Sequence, residues 1–68
     1  MSLGEKLRRL RKAKGLTQEE LSEMIYTTSV AISGWERNVK TPSIESIRLI
    51  ANVFDVSVEE LTGAGDED

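Results

Sequence analysis

The sequence predicts an all-α fold, a compact domain of five short helices, and three observations lead there. The first is end chemistry. "SLGE", "TQEE" and "SVEE" each set a Ser or Thr three residues ahead of a Glu, so that hydroxyl and carboxylate can each accept a free N–H at a helix start. The second is spacing, since the apolar residues recur every three or four positions and no segment alternates with period two. The third is length: 68 residues make one domain near the lower limit at which an apolar core alone sustains a fold.

The first helix is expected over residues 3 to 13, with Leu3, Leu7 and Leu10 on one face. Thr17 caps a second over 18 to 25, where Leu16 staples to Leu21 and Ile25 continues the stripe. About three residues later a third helix, 29 to 36, carries Ile32 and Trp35. Pro42 cannot extend a preceding helix and Ser43 is a good N-cap, so a fourth helix should run from 44 to 54, with Ile44, Ile47, Ile50, Ala51 and Phe54 facing the core. Ser57 opens a short fifth helix over 58 to 62, stapled by Val56 and Leu61. Residues 1 to 62 are thus read as one domain, and 63 to 68, "GAGDED", as an acidic tail expected to be disordered. The expected core is Leu7, Leu10, Leu21, Ile25, Ile32, Trp35, Ile47, Ile50 and Phe54.

Composition narrows the function. The chain has neither cysteine nor histidine, which removes disulfides, thiolate metal sites, the commonest metal ligand and the commonest general base. With no nucleophile–base pair or phosphate loop, the expectation is a protein that is not an enzyme, with no catalytic residues, no metal and no cofactor. No apolar run approaches the ~20 residues of a membrane span, and "MSLGEKLRRLRKAKG" is too charged for a signal-peptide core. A cytoplasmic protein without a membrane partner is expected.

Charge is distributed unevenly. Residues 1 to 48 carry all nine basic groups against six acidic ones, a net of 9 − 6 = +3, whereas residues 49 to 68 carry six acids and no base. The overall −3 is therefore largely a property of the C-terminal third, and a basic surface elsewhere remains compatible with it.

Two short helices joined by about three residues, "TQEELSEMI-YTT-SVAISGWER", cannot bury their apolar faces on each other alone and require a frame of further helices. From about Leu3 to Leu61 the chain resembles the helix-turn-helix family of phage repressors, Cro proteins and xenobiotic-response-element-type bacterial regulators, through "LRRLRKAKGLTQEELSE", "AISGWERN", "TPSIESI" and "VSVEEL". The resemblance implies a repressor-like DNA-binding domain with helices 2 and 3 as the motif. It gives Gln18 a phosphate contact, gives Leu21, Ile25, Ile32 and Trp35 the packing between the two helices, and sets Ser22 where a small residue lets them approach. It also implies a structural ion pair between Arg11 and Glu36. Tyr26 departs from the pattern: relatives commonly have glycine there, because the turn often needs positive φ.

On a wheel of about 100° per residue, Ile32 and Trp35 face inward and Val30, Ser33, Gly34 and Arg37 outward, with Ser29 on the flank. Thr28, Ser29, Val30, Ser33 and Gly34 are accordingly expected to read bases in the major groove, where a valine methyl can meet a thymine methyl and a hydroxyl can donate or accept. Gln18, Arg37, Asn38 and Lys40, at the ends of the motif, are expected to hold phosphates. Leu49 and Val53 fall off the inward stripe of the fourth helix and, with Val58 and part of Leu61, suggest a self-complementary patch, hence a homodimer on a palindromic double-stranded DNA operator. The alternative reading is a protein-interaction module, such as an antitoxin or coactivator-like adaptor built on the same fold.

Overall fold

The computed structural model describes residues 1–63 of the chain; residues 64 to 68 of the expected tail lie outside the described residues. Five α-helices follow one another: α1 (Leu3–Ala13), α2 (Gln18–Met24), α3 (Ser29–Glu36), α4 (Ile44–Phe54) and α5 (Val58–Thr62). No strand occurs among the described residues.

Each helix starts where a side chain accepts a free backbone amide. Ser2, Thr17 and Ser57 close full capping boxes with Glu5, Glu20 and Glu60, while Thr28 and Ser43 cap α3 and α4 by accepting from the amides of Ala31 and Ser46. Such caps are worth about 1 kcal/mol each. That matters most for α2 and α5, of seven and five residues, which are too short to persist alone. The last turn of α4 ends at Asp55 with φ 56°, and Gly63, the first residue of the expected tail, instead closes α5 with φ 85°.

The core gathers Leu7 of α1, Leu21 and Ile25 around the end of α2, Ile32 and Trp35 of α3, Ile47, Ile50, Ala51 and Phe54 of α4, and Leu61 of α5. Trp35 is 7% exposed. Helices α2 and α3 pack on each other, α1 packs on α3 and on α5, and α5 packs back on α4. The two motif helices are therefore held from behind by the rest of the domain.

Around the core, three positions differ from the sequence reading. Ile44, assigned to the core stripe, is 56% exposed: it is the first residue of α4, a turn ahead of Ile47, where no other helix covers it. Leu10 is only half-buried against the core. Leu61, assigned in part to a self-association patch, is 1% exposed; the capping box that opens α5 turns it into the core, so an isolated domain offers none of its surface to a partner.

Gly4 fixes how α1 meets α3. A Cβ at this position would lie 2.5 Å from the Trp35 carbonyl oxygen, 2.6 Å from that of Glu36 and 2.8 Å from Asn38 Oδ1. Only a residue without a side chain admits this approach. The Gly4 amide, unpaired within its own first turn, donates to Asn38 Oδ1 at 3.2 Å, and Asn38 Nδ2 donates to Ser2 Oγ at 3.1 Å.

Candidate nucleic-acid interface

The α2–α3 unit is set by its turn. Ile25 ends α2, Tyr26 takes φ 61°, and the Thr27 amide donates back to the Ser22 carbonyl at 2.9 Å. Ser22 is buried and its hydroxyl donates to the Glu19 carbonyl at 2.6 Å, so the small side chain satisfies its own polar atom while letting the helices close. Tyr26 thus occupies the left-handed region that glycine favours. Its side chain is 86% exposed and gains almost no packing in return.

The outward face of α3 follows the wheel, with one difference. Val30 is 76% exposed, Thr28 is exposed, and Ser29 and Ser33 are half-exposed. Thr28 Oγ1 accepts from the Ala31 amide at 3.1 Å, which leaves its O–H free to donate. Arg37 Nε donates to Ser33 Oγ at 3.2 Å, so the guanidinium lies back along the same face one turn away. Gly34, expected among the base-reading residues, is instead buried. The α3–α4 loop folds over it: the amides of Val39 and Lys40 both donate to the Gly34 carbonyl, at 2.9 and 3.2 Å, and the Lys40 stem covers the place where a Cβ would be, with Cγ at 3.6 Å and Cβ and Cδ at 3.7 Å.

At the motif's border, Arg11 and Glu36 form a bidentate pair. Nε donates to Oε2 at 2.6 Å and Nη2 to Oε1 at 3.1 Å, while Nη1 donates to the Leu16 carbonyl at 2.7 Å. Gln18 Nε2 donates to Glu36 Oε1 at 3.0 Å. The Arg11–Glu36 pair therefore ties together α1, the α1–α2 loop, the start of α2 and the end of α3. Burial acts to raise the Glu36 carboxyl, but hydrogen bonds from Arg11 and Gln18, with the charges of Arg11 and Arg8, outweigh it and hold Glu36 below the ordinary carboxylate range. The same bond raises the Arg11 guanidinium against the opposing effect of burial. A negative charge beside the motif is thus neutralised within the domain.

The structure sorts the residues expected at phosphates by their remaining hydrogen-bond capacity. Gln18 commits one Nε2 hydrogen to Glu36 and keeps the other. Asn38, with φ 60°, accepts from the Gly4 amide and donates one Nδ2 hydrogen to Ser2; it braces the end of α3 against α1 and keeps its other Nδ2 hydrogen. Arg37 and Lys40 are exposed. Sequence reasoning missed the Gly4–Asn38–Ser2 link and the Lys40 stem over Gly34. The only available signals were a glycine inside the first turn of a helix and another inside α3, each costing about 1 kcal/mol relative to alanine unless packing requires it.

Leu49 and Val53, which the sequence reading sets off the inward stripe, and Val58 are all half-buried and packed against the core. Each still leaves part of its surface at solvent.

A pair of short helices crossing through a tight turn, with the second presenting a small-residue face and braced by three others, defines a helix-turn-helix domain. The family model described as Helix-turn-helix matches residues 7–61, and the chain belongs to that family. It is 44% identical over 61 residues to the HTH-type transcriptional activator BcrR of Enterococcus faecalis, covering 90% of this chain and 30% of BcrR. To the HTH-type transcriptional regulator SinR of Bacillus subtilis it is 37% identical over 60 residues, covering 87% of this chain and 54% of SinR. Among solved structures, the P22 c2 repressor in complex with synthetic operator 9T superposes with a TM-score of 0.88 at 31% identity, covering 91% of this chain and 94% of that one. SinR in complex with DNA gives a TM-score of 0.80 at 37% identity, covering 87% and 95%. The chain spans 30% and 54% of the two curated relatives' lengths.

Proposed function

We propose that this domain is the DNA-binding part of a transcriptional regulator, laying α3 in the major groove and reading sequence chiefly with the first turn of that helix. The observation that carries this reading is Val30, an apolar side chain 76% exposed in the first turn of α3, flanked by the hydroxyls of Thr28, Ser29 and Ser33. An exposed valine gains nothing in water, whereas against a thymine methyl it buries apolar surface, and the neighbouring hydroxyls can donate to or accept from base edges. The remaining Nε2 hydrogen of Gln18 and the Arg37 guanidinium supply phosphate contacts at the two borders of the motif. Several relatives bear directly on the reading: P22 c2 and SinR are solved with operator or DNA, and BcrR is a transcriptional activator.

The operator is proposed to be palindromic and bound by a homodimer. What supports pairing is the apolar surface that Leu49, Val53 and Val58 leave at solvent on α4 and α5. Two domains joined there would set their α3 helices about one DNA turn apart, roughly 34 Å.

A selection of binding sites from random duplex DNA tests the reading. Wild-type protein should enrich a two-fold symmetric sequence containing a thymine that Val30→Ala no longer distinguishes. Recovery of no sequence preference at all, at salt high enough that non-specific phosphate binding no longer masks base reading, sinks it.

A further inference from the structure

Lys40 is expected from the sequence at the border of the motif, as a phosphate contact, and the structure lays its stem against Gly34 of α3. Gly34 lies four residues beyond Val30 on α3, which puts the two about 40° apart around the helix and about 6 Å apart along it. A side chain at position 34 would therefore continue the row that Val30 begins. Position 34 has none, and the stem of Lys40 lies over it at van der Waals contact, with Cγ 3.6 Å and Cβ and Cδ 3.7 Å from where a Cβ would be. The approach is fixed by backbone, since the Val39 and Lys40 amides both donate to the Gly34 carbonyl. Beyond Cδ the lysine carries Cε and the ammonium, and among the described residues no carboxylate pairs with it.

We propose that Lys40 is a base-reading residue: the α3–α4 loop delivers its ammonium to the reading face in place of the side chain Gly34 lacks, where it donates to O6 and N7 of a guanine. This rests on the assignment of α3 to the major groove. A guanine offers two adjacent acceptors in that groove and adenine replaces one of them with a donor, so an ammonium discriminates between the two. With a base-pair rise of about 3.4 Å, the 6 Å step along α3 sets this guanine within about two base pairs of the thymine at Val30. An alanine Cβ at 34 would meet the stem at ordinary contact distance, whereas a longer side chain would displace it.

The test uses the whole chain and the site that wild-type protein selects from random duplexes. Lys40→Met keeps the apolar stem over Gly34 and removes the charge, so the fold, followed by circular dichroism and thermal melting, should be unchanged. Wild-type protein should bind the selected site roughly 5- to 100-fold more tightly than the same site with that guanine changed to adenine. Lys40→Met should bind both within about twofold while keeping its preference at the thymine, whereas Arg37→Ala should weaken both alike and preserve the ratio. If Lys40→Met also weakens both alike, or the selected site contains no guanine within two base pairs of the thymine, the lysine is a phosphate contact and the proposal is wrong. Failure of wild-type protein to select any sequence would instead overturn the assignment of α3 to the groove, and this proposal with it.

Discussion

Gly4→Ala should destabilise the domain, although the same change in a free helix does the opposite. Alanine is better than glycine inside a helix by about 1 kcal/mol. Here its Cβ would meet two backbone oxygens, of Trp35 at 2.5 Å and Glu36 at 2.6 Å, and Asn38 Oδ1 at 2.8 Å. The first two cannot rotate away, so α1 must retreat from the end of α3 by most of an ångström to restore ordinary contact. Overpacking of this kind costs about 1–3 kcal/mol. The retreat also stretches the 3.2 Å bond from the Gly4 amide to Asn38, worth about 1 kcal/mol. Setting the helix gain against both losses leaves a net cost of about 1–3 kcal/mol. For a domain of this size that lowers the melting temperature by about 4–8 °C per kcal/mol, measurable by circular dichroism at 222 nm. An unchanged or raised melting temperature would refute the reasoning and show that the α1–α3 contact gives way freely. Since Asn38 leads the chain into the loop that carries Lys40, the variant should also lose sequence preference more than it loses non-specific affinity.

Replacing Tyr26 by glycine relieves a left-handed residue of about 1–2 kcal/mol and restores about 0.4–1 kcal/mol of unfolded-state entropy cost; with little packing lost at an 86% exposed side chain, chemical denaturation should show a gain of about 0.5 kcal/mol, and a loss would mean that the ring is held by a contact. Arg11→Ala strands a carboxylate whose side chain is 4% exposed and should cost about 3–5 kcal/mol, enough to unfold much of a small domain; a double change of Arg11 and Glu36 to Leu should cost less, and equal costs in urea titration would count against the pair. Because the folded carboxyl of Glu36 is held below its ordinary value, its contribution is present above about pH 4.3 and is lost as pH falls through the folded value; Glu36→Gln should therefore flatten the stability profile on the acid side of pH 4.3, and a profile identical to wild type would disprove the linkage. Leu49→Lys with Val53→Lys should lower self-association and operator affinity together, at a protein concentration where melting confirms a folded chain; a dimer that survives the double change in sedimentation places the interface elsewhere. Arg37→Ala should weaken preferred and random DNA by the same factor and reduce the slope of log affinity on log salt by about one unit, and a selective loss on the preferred site would make Arg37 a base contact.

The local elements were legible in the sequence because the chemistry that specifies them is local. A capping box needs only a hydroxyl and a carboxylate three residues apart, and Ser2, Thr17 and Ser57 open helices where their spacing says they should. Ile32 and Trp35 turn inward because helical geometry leaves them one face, and the same geometry exposes Val30. The αL turn at Tyr26 was signalled only as a departure from the family's glycine, and its φ of 61° belongs to the backbone path that the α2–α3 packing demands. What tertiary structure alone decided lies between residues far apart in the chain. Leu61 is core rather than surface because α5 packs back on α1 and α4. Asn38 is a brace because Gly4, 34 positions earlier, comes within hydrogen-bonding reach. Gly34 is covered because a loop returns over it and lays down the Lys40 stem. Helical periodicity reports which way a side chain leaves its own helix, but what it meets there depends on how separate elements approach, and that distance is set by the collective packing of the core.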